Sequence, residues 1–199
     1  MSLALAEAGW DGRLMPEPNA DYLALVDTNM GYNKVDAVLE RSVHYDVTWP
    51  DGEDQPGLAT ATINYLHPVS LPDHVCDLTP RYDAPEYDDM TRRCYFDYVR
   101  LHVPAGSELV SIEGVDPESI SAERGERETD VLAGYFQLLP GYQHNVIFTY
   151  RLPPHITPDN YALVIQRQSG SKPLPVTASV AGHTLDMEVA QDRFIWTPE

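Results

Sequence analysis

Residues 35–49, VDAVLERSVHYDVTW, alternate in polarity along their whole length. Val35, Ala37, Leu39, Val43, Tyr45, Val47 and Trp49 fall on one parity, and Asp36, Glu40, Ser42, His44, Asp46 and Thr48 on the other. A strand turns successive side chains to opposite faces, so this stretch predicts one long strand with an apolar face and a wet face. Only Arg41 interrupts the apolar side, and only Val38 the wet side. A strand wetted on one face belongs in antiparallel sheet.

The neighbouring sequence extends that reading. The breaker-rich turn DGEDQPG (51–57) leads to Leu58–Leu66, where Ala61, Ile63 and Tyr65 alternate with Thr60, Thr62 and Asn64. The two strands form a hairpin with a longer loop. YLALVD (22–27) predicts a short strand, and residues 3–9 the end of a short N-terminal helix stopped by Gly9. Tyr95–Val103, Leu109–Ile112, Val131–Leu139, Val146–Leu152, Tyr161–Arg167, Pro175–Val180, Thr184–Val189 and Phe194–Trp196 bring the expectation to about eleven strands. Almost no helix intervenes, so parallel βαβ units are not expected. The fold class is all-β, an antiparallel β-sandwich-like architecture. Residues 113–130, rich in acids and poor in apolar side chains, predict an exposed excursion. Residues 1–199 read as a single β-rich domain, and the excursion offers an alternative of two smaller sandwiches, 1–112 and 131–199.

With 31 acids against 13 bases the chain carries a formal charge of −18. Such a polyanion does not bind nucleic acid or anionic lipid through a general field. No segment approaches the roughly 20 apolar residues of a membrane span.

Motifs of chemistry are missing. There is no GxSxG, P-loop or GxGxxG, and the 7 His form no HxH or HxxxH pair. No catalytic residue, metal site or cofactor is assigned. Asp83, Glu86, Asp88 and Asp89 lack the spacing of a calcium loop and read as a solvated acidic loop. Cys76 and Cys94 bracket an irregular segment. As a disulfide they would close a loop worth about 3 kcal/mol; two buried free thiols are the alternative. Tyr82 and Tyr87 lie inside that segment, where they can stack on a sugar, anchor a protein partner or pack the loop onto the sheet. Asn29, Asn33 and Lys34 cluster in DTNMGYNK (27–34), a structured loop in which Gly31 permits positive φ. They are the candidate small polar site, with turn chemistry and an acid bound to Lys34 as the plainer reading.

The segments AGWDG (8–12), DYLALVDTNMGYNK (21–34), ERSVHYDV (40–47) and RCYFDYVRLHVPAGSEL (93–109) together resemble a bacterial family, domain-of-unknown-function family 4012. LPGYQHNVIFTYRLP (139–153) and YALVIQRQSG (161–170) are similar to its downstream portion, the last departing from the QKQPG-like form expected there. The resemblance implies the soluble C-terminal region of a membrane-anchored protein, tethered outside the bacterial cytoplasm by a span beyond this sequence. It carries over no catalytic residues. An oxidising location agrees with the cysteine pair. The expectation is a non-enzymatic binding or structural region of the cell envelope with an unidentified protein or glycan partner. The alternatives are a carboxylate-dependent enzyme or accessory domain acting on envelope polysaccharide, and a cytoplasmic location.

Overall fold

The structure, a computed structural model, describes residues 12–50, 52, 55–79 and 86–198. Twelve strands follow one another along the chain: β1 (Asp21–Val26), β2 (Glu40–Thr48), β3 (Leu58–Leu66), β4 (Tyr95–Pro104), β5 (Glu108–Glu113), β6 (Ser121–Arg124), β7 (Thr129–Leu138), β8 (Gln143–Arg151), β9 (Leu163–Arg167), β10 (Leu174–Val180), β11 (His183–Val189) and β12 (Arg193–Trp196). A five-residue helix, α1 (Tyr87–Thr91), precedes β4. The expected N-terminal helix at residues 3–9 lies outside the described residues.

The strands make two six-stranded sheets, β12-β9-β1-β4-β7-β6 and β11-β10-β2-β3-β8-β5. We call them sheet A and sheet B. Their facing sides meet in one core that includes Leu23, Leu25, Val43, Tyr45, Ile63, Leu101, Phe148 and Ile165. Burying a side chain of this size contributes roughly 1.5–3 kcal/mol. The all-β sandwich is therefore as expected. Along β2, Val43, Tyr45 and Val47 are buried, His44 and Thr48 are exposed, and Asp46 and Trp49 are half-buried. Neither sheet is built from one half of the chain, since each takes strands from before residue 112 and after residue 131.

Three details differ from expectation. First, the sheets are mixed rather than purely antiparallel. β1 runs parallel to β9, with Asp21 opposite Leu163, and β2 parallel to β10, with Val43 opposite Val176. No helical crossover is needed, because the chain returns through strands of both sheets. Second, the long strand begins at Glu40, and Val35–Ala37 is a 3-10 turn. Asn33 Oδ1 accepts the Val35 N–H at 3.1 Å and starts that turn. Third, the acidic excursion contains β6, which pairs with β7 from Ser121↔Ala133 to Arg124↔Asp130. It also holds a 3-10 turn, Pro117–Ser119, capped by the Asp116 side chain.

The connections 27–39, 67–94, 139–142 and 168–173 all join strands at one end of the sandwich. The disulfide lies there, and we call it the disulfide end.

Candidate functional site

β1 is buried on both faces. Its inward parity runs Asp21, Leu23, Leu25, Asp27, so an acid stands at each end of an otherwise apolar row. Each acid collects tyrosines. Asp21 accepts from the Tyr22 N–H at 2.7 Å and from the hydroxyls of Tyr45 at 2.6 Å and Tyr161 at 2.5 Å. Tyr45 and Tyr150 hydroxyls lie 2.8 Å apart. Burial nevertheless pushes the Asp21 carboxyl up to about 6, against the lowering effect of those donors. Asp27 accepts from the Tyr65 hydroxyl at 2.7 Å and pairs with Arg41, the one charge on the apolar side of β2. Asp97 of β4 is fully buried, and neither of its oxygens meets a donor among the described residues. Burial first, and then the neighbouring charge of Asp27, push its carboxyl well above the usual range. A neutral carboxyl tolerates such a place far better than a carboxylate.

Asp21 and Asp27 fasten the core, and all three acids are closed to solvent. Asp21 and Asp97 are 0% exposed and Asp27 is 7% exposed. A pair of carboxylates that cleaves a glycosidic bond must flank an accessible substrate, and this set cannot.

Above Asp27 the loop 27–34 is ordered by its own side chains. Asn29 Oδ1 accepts the Gly31 N–H at 2.8 Å, and Asn29 Nδ2 donates to Asn33 Oδ1 and Asp36 Oδ2 at 2.8 and 2.7 Å. Asn33 Nδ2 reaches across to the Cys94 carbonyl at 2.9 Å. Gly31 does not take the positive φ expected of it; Tyr32 does, at 50°. Glycine is required for space instead, because a Cβ at Gly31 would lie 2.4 Å from Asn33 Nδ2 and 2.8 Å from the Phe96 ring. Lys34 is exposed, its N–H bonds the Met90 carbonyl at 3.1 Å, and no acid holds its ammonium among the described residues.

Cys76 and Cys94 form a disulfide with Cα atoms 5.5 Å apart. It ties the 67–94 connection to the start of β4. Tyr87, on α1, is exposed. Tyr82 lies outside the described residues. The structure thus joins Asn29 and Asn33 in one network, and leaves Lys34 and Tyr87 facing solvent.

Sequence reasoning missed the surface around them. Met30, Tyr32, Val75, Leu78, Tyr87, Leu139 and Tyr142 are exposed, and all belong to connections at the disulfide end. Elsewhere the exposed large apolar side chains among the described residues are Val110, Ile120 and Ile195. Beside this end, on the outer face of sheet A, lies an open concavity of about 480 Å³ between Thr28, Met30, Leu78, Tyr98, Arg100 and Tyr135.

Two other features carry reactive groups or a groove. On the outer face of sheet B, His44 Nδ1 lies 2.6 Å from Thr177 Oγ1 and His44 Nε2 lies 2.8 Å from Asp46 Oδ2. This is a hydroxyl–imidazole–carboxylate row. Acyl transfer also needs donors for an oxyanion, and β10, which carries Thr177, spends its backbone groups on ladders to β2 and β11. A groove of about 710 Å³ at the far end runs past Leu14, Pro16, Tyr22, Pro104, Arg127 and His155. Its Tyr22 hydroxyl is already committed to Gln166 at 2.6 Å. No group of three or more His, Cys, Asp or Glu able to hold a metal occurs among the described residues. None of their helices is long and apolar enough to cross a membrane.

Comparison with protein-family models, with curated proteins and with solved structures finds no match to this chain.

Proposed function

We propose that this chain is a non-enzymatic binding region of a bacterial envelope protein, displayed outside the cytoplasm, whose disulfide end meets a protein or glycan partner. One observation carries the reading: the exposed apolar side chains gather on the three connections 27–39, 67–94 and 139–142 of a single end. Monomeric proteins rarely group such side chains without a partner. Two of those connections are also stiffened, one by the Asn29–Asn33 network and one by the disulfide. A stiff contact surface loses less entropy on binding. The disulfide and the resemblance to family 4012 support the extracytoplasmic location. The sealed state of Asp21, Asp27 and Asp97 favours binding over carboxylate catalysis.

The test is photo-crosslinking in the source bacterium, with a photoreactive residue replacing Tyr142 and, as a control, Glu123 on the edge strand β6. Discrete adducts from position 142 alone are expected. No adduct at 142, or the same adducts from both positions, overturns the reading.

A further inference from the structure

We propose that the concavity on the outer face of β4 and β7 binds a carboxylated sugar, a uronic acid residue of a glycan, with Arg100 as its counter-ion. This rests on the binding reading above and gives one part of that surface a ligand class.

Arg100 is the anomaly. It is half-buried, its Nη2 donates to Thr28 Oγ1 at 2.8 Å, and its Nε is buried with no partner. No carboxylate pairs with it among the described residues. Four other half-buried arginines, Arg41, Arg93, Arg167 and Arg193, each hold an acid: Asp27, Asp89, Asp192 and Glu17. In a chain with 31 acids, a guanidinium left without one in a nearly apolar concavity points to an anion supplied from outside. A carboxylate suits it, because guanidinium and carboxylate match fork to fork.

The walls say what carries that carboxylate. Tyr98 and Tyr135 stand directly opposite each other across the β4–β7 ladder. Cross-strand neighbours lie about 5 Å apart at Cβ, so two phenols share one patch. Ser121 Oγ lies 3.1 Å from the Tyr98 hydroxyl and fixes that ring. Met30, 51% exposed, and Leu78, 45% exposed, close the sides from two different connections. A pyranose offers C–H faces to such walls and hydroxyls to Thr28, while a uronic acid adds the carboxylate in the same ring. A neutral sugar would leave Arg100 uncompensated. An acidic peptide side chain would leave the tyrosines uncovered. The chain's charge of −18 repels a polyanion at long range, so the attraction is short-range and should survive 0.3 M salt.

The experiment titrates the whole chain by NMR with trimers of galacturonate, glucuronate and mannuronate, with a neutral galactose trimer, and with N-acetylphenylalanine as a non-sugar carboxylate. Expected is saturable binding of at least one uronate trimer, at least tenfold tighter than either comparison compound. It should weaken at least tenfold in Arg100→Gln. Met30→Asp, a rim change that leaves the core alone, should weaken it similarly and serves if Arg100→Gln does not fold. No saturable uronate binding, equal affinity for N-acetylphenylalanine, or affinity unchanged in the variants overturns the proposal. Adducts from position 142 that persist when uronate binding fails discard the sugar alone; their absence discards the binding reading itself.

Discussion

Asp21 sits fully buried at the start of β1 and is still close to ionising. The sign of its effect follows from the two states. Folded, its pKa is about 6; unfolded, an aspartate titrates near 3.9. Between those values the native state holds a proton that the unfolded chain releases. Its stabilising contribution is therefore complete below about pH 3.9 and lost as pH rises through about 6, amounting to roughly 2–3 kcal/mol. Asp97, raised well above its usual range, acts with the same sign and extends the decline to higher pH. The shedding of negative charge in acid pulls the same way, so a variant must isolate the residue. Asp21→Asn should flatten the decline of the urea midpoint between pH 4 and 7 relative to the native chain. Parallel curves would show that Asp21 stays ionised in the core. The sequence held a clue to these acids. Asp21 and Asp27 share the parity of Leu23 and Leu25, and Arg41 shares that of Val43, which already implies charges meeting inside. Asp97 likewise shares the parity of Tyr95, Val99 and Leu101; its raised pKa left no trace, because that depends on which side chains surround it.

Elements were legible where one face is buried and the other wet. β3 spans Leu58–Leu66 as its alternation predicts. β6 was not legible. Its Ser121–Arg124 side chains are half-buried or exposed on both parities, and it is held by backbone bonds to β7 with Ser121 on the Tyr98 hydroxyl and Arg124 on Asp130. The 3-10 turn at Val35–Ala37 reads as strand in the sequence because Val35 is buried and Asp36 exposed there, as they would be in a strand. The connection 27–34 was legible as an ordered loop, though Gly31 answers to crowding and not to φ. Asn33 is its keystone, bonding Asn29, Val35 and Cys94. Asn33→Ala strands those partners beneath the loop and should cost about 1–2 kcal/mol. Urea melts decide it, and an unchanged midpoint would free these polar side chains for a ligand role.

At the scale of the whole molecule, pairing is the part that sequence conceals, since ladders are made by backbone and leave no residue signature. The parallel contacts β1–β9 and β2–β10 tie strands from the first quarter of the chain to strands from its last. A chain ending at Asn160 loses β9–β12 and leaves β1 and β2 each with an open edge. It should show no cooperative urea transition, and a sharp one would mean that the remaining strands form a core by themselves. The same pairing sets a timetable for a nascent chain. As the polypeptide emerges from its amino terminus, β1 cannot meet β9 until Arg167 is out, nor β2 meet β10 until Val180 is out, and contacts so far apart form slowly. Cys76 and Cys94 emerge long before that. The covalent staple can therefore be set on a chain still waiting for its last strands, and an oxidase would meet both thiols while they are open to attack.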